Sequence, residues 1–165
     1  MQKKFLLLNK HTIIWKNIYK LSLERVVITG LGTVNPLGND TNTYWKNLVI
    51  GKNGISKITL FDTDQFKVKI AGESKINLNN YFNTKDLNKL DRFAAFSIIA
   101  ADEAIQDSNF KNFDPSRVGV IIGSGIGGIN SLEIQHKKLL NHPKRVSPYF
   151  IPKMISDISP GQISI

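Results

Sequence analysis

A short apolar segment that runs directly into a cluster of glycines constrains the fold of this 165-residue chain most strongly. Residues 118–122 barely alternate between polar and apolar side chains, which predicts a strand buried on both faces. The glycines within residues 123–128 let the backbone take a positive φ or approach another group closely. Apolar residues then recur at helical spacing over residues 129–140. This stretch therefore predicts a strand, a glycine turn and a helix, an arrangement at which α/β proteins bind ligands.

The glycines also match a weaker pattern. Gly123, Gly125 and Gly128 fit the G-x-G-x-x-G spacing of a dinucleotide-binding loop. That type of site needs an acidic residue about 20 positions further along, for the ribose hydroxyls. Residues 145–150 read Arg-Val-Ser-Pro-Tyr-Phe and contain no carboxylate. A dinucleotide-binding oxidoreductase is therefore a distant alternative, and a tight turn without a ligand is the more usual explanation of such glycines.

Two further strands and two further helices are predicted around this stretch. The β-branched segment Arg25–Gly30 ends at glycines and predicts the first strand. Asp40 or Thr41 is expected to cap a helix, and Trp45 on its apolar face is expected to pack in the core. Alternating residues over 66–70 predict a half-exposed strand, and apolar residues at three- and four-residue steps over 90–105 predict a long helix.

The composition is that of a globular protein with a single core. Hydrophobic residues make up 41% of the chain and charged residues 21%, and no apolar run is long enough to span a bilayer. The net charge of +9 would favour nucleic acid as a partner, but no nucleic-acid-binding motif supports that choice. His136 and His142 lack metal-ligand partners at useful spacing, so no metal site is predicted.

Several motifs in a fixed order resemble the β-ketoacyl-acyl-carrier-protein synthases, most closely synthase II of fatty-acid elongation. The glycine loop Gly123-Ser-Gly-Ile-Gly-Gly128 and the segment Arg145-Val-Ser-Pro-Tyr-Phe-Ile-Pro152 carry this resemblance most clearly. The opening strand and loop over residues 25–38, and residues 90–93 and 114–120, follow in the family's order. The resemblance runs from Arg25 to Ile165.

The resemblance implies an α/β fold of the thiolase-like layered type (αβαβα), of which this chain supplies only the N-terminal part. It implies acyl transfer from a carrier protein to a cysteine, followed by condensation with malonyl-carrier protein, without a cofactor. The chain contains no cysteine, and the catalytic histidines and lysine of the family lie further along than its motifs reach. No catalytic residue is therefore assigned in this chain, and we expect it to be inactive alone.

The resemblance also implies two groups of binding residues. Ile126 and Phe150 correspond to residues that line the acyl pocket, with Phe150 reaching the pocket of the neighbouring subunit in a homodimer. Lys85 and Lys89 correspond to the patch that docks the acidic acyl carrier protein. A basic residue is usual where Asn88 stands, so the docking patch departs from the family pattern here.

Residues 1–24 lie outside the family pattern and are expected to be a small extension or a start assigned too early. Their lack of acidic residues before Glu24 makes an organellar targeting peptide the alternative to a cytoplasmic location. Three hypotheses about the chain follow: the front of a synthase II that is inactive alone, one half of a split synthase, or a non-catalytic carrier-protein binder.

Overall fold

The computed structural model describes residues 25–165, in which helices predominate. The α-helices are α1 (Thr41–Val49), α2 (Thr84–Leu87), α3 (Arg92–Asp107), α4 (Ile129–Asn141), α5 (Phe150–Met154) and α6 (Ile158–Ile163). Short 3-10 helices lie at Leu78–Asn80, Pro115–Arg117 and Pro143–Arg145. Strands β1 (Ser56–Lys57) and β2 (Ile70–Ala71) pair antiparallel, with Ser56 opposite Ala71. Within residues 25–165, no helix combines the length and hydrophobicity needed to cross a bilayer.

Helix α3 forms the centre of this part of the molecule, as its periodicity predicts. Its buried residues are Ala94, Ala95 and Ile99. Because the alanine side chains are small, helix α6 packs closely against α3 and buries Ser159 completely, at 0% exposure. The long helix ends at Asp107, Ser108 keeps helical dihedrals, and the chain leaves the helical conformation at Asn109, which has a φ of +50°.

Two carboxylates in the second half of α3 hold the segment that precedes α1. Glu103 accepts hydrogen bonds from the Thr33 amide at 2.8 Å and from the Thr41 amide at 2.6 Å, one on each oxygen. Asp107 accepts a hydrogen bond from the Leu31 amide at 2.9 Å. These contacts give the irregular segment 31–41 the hydrogen-bond acceptors that a sheet would otherwise supply.

Helix α1 begins where the sequence predicts, but Trp45 does not pack in the core. The Asp40 carboxylate caps the helix by accepting a hydrogen bond from the Thr43 amide at 2.8 Å, and this bond lowers the pKa of Asp40. Trp45 is 62% exposed, so the prediction for this residue is wrong. The partly buried face of α1 instead carries Tyr44 and Asn47, and the Asn47 amide donates to the Leu37 carbonyl.

The predicted strands at Arg25–Gly30 and residues 118–122 are also wrong, because neither segment is a strand in the described part of the chain. Ile121 is 95% exposed rather than buried on both faces. A strand exists only through hydrogen bonds to a neighbouring strand. The Val118 amide donates instead to the Pro115 carbonyl in its own turn, and no described strand lies beside either segment.

Of the predicted strand over residues 66–70, only Ile70 lies in a strand, and it pairs with β1 together with Ala71 as β2. Phe66, Val68 and Ile70 are all exposed, so the expected alternation between a covered and an open face is absent. The reason is that β2 pairs only with β1 and that this two-residue ladder has no layer packed on it. Phe61 and Phe66 cover each other in part, edge to face at 5.5 Å between ring centroids.

Helix α4 has the predicted position but an unexpected orientation. Its buried residues are the polar Ser131 and Gln135. Its apolar residues face outward and are exposed: Ile129, Leu132, Ile134, Leu139 and Leu140. The amphipathic pattern therefore identifies the helix correctly but does not identify the face that packs within this chain.

Candidate functional site

The glycine loop of residues 123–128 is a tight turn held by its own backbone. The Gly127 amide donates to the Ser124 hydroxyl at 3.0 Å, and the Ile129 amide donates to the Gly127 carbonyl at 3.0 Å. Gly127 has a φ of +76°, a conformation that a side chain would strain. The turn therefore needs glycine at this position and places Ile126 on its outer side, where it is 70% exposed.

Helix α5 lies directly against this loop. The Gly128 amide donates to the Met154 carbonyl at 2.9 Å. A Cβ at position 128 would run into the Lys153 carbonyl, so glycine is also needed here for close approach. Phe150 is partly buried and is the first residue of α5, and Met154, which accepts the Gly128 hydrogen bond, is its last. The structure thus places Ile126 on the loop and Phe150 at the start of the helix that packs against the loop.

A buried carboxylate also lies against the end of the loop. Asp91 is 7% exposed, and its Oδ2 accepts hydrogen bonds from the amide of Ser131 at 3.2 Å and from the hydroxyl of the same residue. Its Oδ1 accepts a bond from the Phe93 amide at 3.4 Å. Asp91 therefore caps α3 and α4 together, because Gly128 at the start of α4 has no side chain to do so.

This arrangement bears on the dinucleotide alternative. The G-x-G-x-x-G pattern binds a pyrophosphate because the first amides of the following helix point at the anion. At the start of α4, the Ser131 amide already donates to the Asp91 carboxylate. A negative charge therefore stands where the pyrophosphate would bind, which weighs against a dinucleotide site.

Of the two predicted docking lysines, Lys89 lies next to the unit formed by the glycine loop and α5. Lys85 is exposed on α2, which the Asn83 side chain caps by accepting from the Asp86 amide at 2.9 Å. The Lys89 ammonium lies 5.8 Å from the centroid of the Tyr149 ring. The lysine patch therefore borders the segment that leads into Phe150.

A second buried polar residue connects α4 with the segment that leads into Phe150. Gln135 is buried, and its side-chain oxygen accepts a hydrogen bond from the Ser147 amide at 2.8 Å. Sequence reasoning identified neither Asp91 nor Gln135. The rule that Asp precedes a helix could have identified Asp91 as the cap of α3, but no local rule connects it with Ser131.

A groove of about 660 Å³ lies between the segment around Phe61 and Phe66 and the first turns of α4. Arg92 borders it together with the Glu133–Lys137 pair, and neither Ile126 nor Phe150 lines it. Within residues 25–165, no group of three or more His, Cys, Asp or Glu side chains could hold a metal ion. The unit formed by the glycine loop, α5, Asp91 and Lys89 therefore stays the better candidate site.

Comparison with known proteins identifies the family. The family described as Beta-ketoacyl synthase, N-terminal domain, matches residues 23–165. The chain belongs to the β-ketoacyl synthases.

The relatives of this β-ketoacyl synthase chain include bacterial proteins named 3-oxoacyl-[acyl-carrier-protein] synthase 2. The Staphylococcus aureus protein (strain N315) is 47% identical over 146 residues, which are 86% of this chain and 35% of the relative. The Vibrio cholerae protein is 39% identical over 149 residues, or 88% of this chain and 36% of the relative. The chain thus spans about a third of the length of these relatives.

Solved structures confirm the predicted thiolase-like fold. The ishigamide ketosynthase/chain length factor has a TM-score of 0.69 at 20% identity and covers 84% of this chain and 36% of its own. A β-ketoacyl synthase from Burkholderia phymatum has a TM-score of 0.69 at 22% identity. The match covers 86% of this chain and 36% of that synthase. A type II PKS acyl-carrier protein in complex with its ketosynthase gives a TM-score of 0.65 at 23% identity. This match covers 84% of this chain and 37% of the matched chain. The synthase fold thus extends over most of residues 25–165.

Proposed function

We propose that residues 25–165 are the N-terminal part of a 3-oxoacyl-[acyl-carrier-protein] synthase of type 2, which elongates fatty acyl chains. The 47% identity to the S. aureus synthase over 146 residues is the observation that carries the proposal. The glycine loop packed on α5 supports it, because the two acyl-pocket candidates, Ile126 and Phe150, share that unit.

The chemistry of such a synthase requires groups that this chain does not contain. The acyl group moves from the carrier thioester to a cysteine, and decarboxylation of malonyl-carrier protein gives the carbanion that attacks it. The 165 residues include no cysteine, so the nucleophile and the groups that stabilise the oxyanion must come from another part of the synthase. The chain itself supplies one side of the acyl pocket and the docking lysines.

The outward-facing apolar residues of α4 also support the proposal that the catalytic groups come from another part of the synthase. A soluble monomer rarely leaves such a patch uncovered, and an apolar surface of this kind normally packs against another layer. The remainder of the layered synthase would cover α4, and would supply neighbouring strands for residues 25–30 and 118–122. That remainder can belong to the same polypeptide or to a second chain, as in a split synthase.

The proposal is tested by mixing this chain with the missing part of a related synthase. The 165-residue chain is assayed alone and with the cysteine-bearing remainder of the S. aureus synthase, using acyl- and malonyl-carrier protein, and the 3-oxoacyl product is detected by mass spectrometry. We expect no product from either part alone and product from the mixture. A complex that forms but gives no product, although the intact S. aureus synthase is active, would count against the proposal.

Carrier docking by Lys85 and Lys89 is the second part of the proposal. Both lysines are exposed, and acyl carrier protein is acidic, so the contact should be electrostatic and weakened by salt. Charge reversal by Lys85→Glu or Lys89→Glu should weaken carrier binding by about tenfold, measured by calorimetry. The matched control is Lys52→Glu, an exposed lysine after α1. Equal weakening by all three changes would mean that only the net charge matters.

The carrier-binding experiment also tests the remaining hypotheses. A non-catalytic carrier-protein binder would bind the carrier tightly as the isolated chain and would not associate with the cysteine-bearing remainder. A synthase part should do both. We further propose that residues 1–24 are an extension, which the start of the family match at residue 23 supports. Their removal should leave carrier binding unchanged.

A further inference from the structure

The buried carboxylate of Asp91 has no part in the chemistry proposed above, yet it lies between the docking lysines and the glycine loop. It follows Lys89 by two residues and contacts Ser131 in the first turn of α4. Within residues 25–165, it is the single charged side chain in the buried class. A buried charge is costly unless its hydrogen bonds are satisfied, so the contacts of this carboxylate need an explanation.

The two oxygens of Asp91 serve different helices. Oδ1 accepts the Phe93 amide, which is an ordinary cap of α3. Oδ2 accepts both the amide and the hydroxyl of Ser131 in α4. An isolated cap of α3 would be exposed to water, whereas this carboxylate is buried because the start of α4 lies over it.

The same oxygen also sets how closely the glycine loop can approach. A Cβ added to Gly128 would lie 2.9 Å from Asp91 Oδ2. The same Cβ would also meet the Lys153 carbonyl, so Gly128 lies against both Oδ2 and the last turn of α5, whose Met154 carbonyl accepts a hydrogen bond from the Gly128 amide. Removing the carboxylate would leave the start of α4 without a cap and the loop without one of its two supports.

From this geometry we infer that Asp91 is a positioning residue that fixes the glycine loop, and with it Ile126, in the acyl pocket. The role in the pocket rests on the proposed function, whereas the role in the loop does not. Asp91 touches no reacting group. It acts through Ser131 and Gly128, and it stands beside the docking patch, so that the patch and the pocket share one rigid connection.

The first experiment measures hydrogen exchange of the amides of residues 127–131 in the full 165-residue chain. Asp91→Ala should speed their exchange by about tenfold, because the α4 cap is lost while α5 stays in place. Asp91→Asn should have a smaller effect, because its amide oxygen still accepts a hydrogen bond. Ser131→Ala removes one bond and leaves the cap of α3 intact, so it tests the loop without disturbing α3.

The matched control is Asp40→Ala, which removes a similar cap from α1, away from the loop. It should leave the exchange of residues 127–131 unchanged. Equal acceleration of these amides by Asp40→Ala and Asp91→Ala, or no acceleration by Asp91→Ala and Ser131→Ala, would overturn the inference. The Ser131→Ala result decides the question if Asp91→Ala fails to fold.

The second experiment uses the synthase reconstituted with the cysteine-bearing remainder. The ratio of kcat/KM for a long and a short acyl-carrier substrate should change at least threefold in Asp91→Ala and should largely recover in Asp91→Asn. An equal fall for both substrates would indicate a merely structural role and overturn the pocket claim. Inactivity of the unmodified assembly would instead refute the proposed function, and the exchange experiment would still decide the role in the loop.

Discussion

At the scale of single residues, hydrogen-bonded polar side chains organise this chain more than large apolar ones do. The buried hydrophobic residues are the small or medium-sized Ile76, Ala94, Ala95 and Ile99. Local rules predict part of this polar organisation: Asp40 caps α1 as expected. The longer-range bonds of Asp91 could not be predicted, because its partner Ser131 lies 40 residues away and only the tertiary fold brings them together.

Ser159 offers a direct test of polar burial. Its side chain is fully buried against α3, and its hydroxyl has no hydrogen-bond partner among the described residues. Ser159→Ala should therefore raise the free energy of unfolding by about 1 kcal/mol, since it removes an unsatisfied buried group. Urea denaturation measures this change. Ser164→Ala, at an exposed serine, is the control, and a destabilised Ser159→Ala would show that the hydroxyl is satisfied.

Glu73 provides a test by pH. The side-chain hydrogen bond from Thr59 lowers the pKa of Glu73 from its usual 4.5, and the amides of Thr59 and Leu60 add to this. Because the folded pKa is lowered, the stabilisation is present above the unfolded pKa and is lost as the pH falls through the folded pKa. In Thr59→Val, the folded pKa of Glu73 should rise toward 4.5, so this stabilisation should be smaller and its loss should be complete at a higher pH.

A carbon-detected NMR titration of the carboxyl groups measures the effect of Thr59→Val. Glu133 is an internal control, because the side-chain hydrogen bond from Lys137 lowers its pKa and is untouched by the change. A Glu73 pKa that does not move would mean that the backbone amides alone hold the carboxylate.

At the scale of elements, helices α1, α3 and α4 follow from the sequence, whereas the predicted strands and the short helices α2, α5 and α6 do not. Helices α3 and α4 make their backbone hydrogen bonds internally, so periodicity and caps suffice to predict them. The segments at 25–30 and 118–122 have the composition of strands, but a strand depends on a partner that no described segment supplies. The same reason explains why Ile121 is exposed.

The hydrogen bonds that Glu103 of α3 accepts from the segment leading into α1 allow a prediction about stability. Glu103→Ala leaves the amides of Thr33 and Thr41 without their acceptor, and should lower the free energy of unfolding by about 2 kcal/mol. Glu103→Gln keeps one acceptor oxygen and should cost less. Both are measured by urea denaturation. The control Asp102→Ala removes an exposed side chain bonded only to Gln106; an equal loss in this variant would contradict the account.

At the scale of the whole molecule, the chain combines a polar interior with an apolar outer face on α4. Under the proposed function, a further layer of the synthase covers these exposed positions, and the chain spans about a third of the length of its curated relatives. The sequence predicted the family, because its motifs survive as local patterns. It could not predict which face of α4 stays open, since amphipathic periodicity identifies a helix but not the face that packs within this chain.

The outer face of α4 gives the fourth prediction. Leu140→Lys places a charge on this exposed face and should reduce self-association of the chain, measured by sedimentation velocity, with less than about 0.5 kcal/mol effect on stability. In the reconstituted synthase, the same change should weaken assembly. Asn130→Lys adds the same charge at an exposed polar position and should do neither. Equal effects from the two lysines would show that charge alone, and not the apolar face, governs association.

The central claim is that this chain forms the docking and acyl-pocket part of a working synthase. The most direct measurement is the condensation rate of a chimera in which residues 25–165 replace the matching segment of the S. aureus synthase. The account predicts a folded dimer that makes 3-oxoacyl-carrier protein at a rate within about tenfold of the parent, because the two segments are 47% identical. A folded chimera without condensing activity would contradict it.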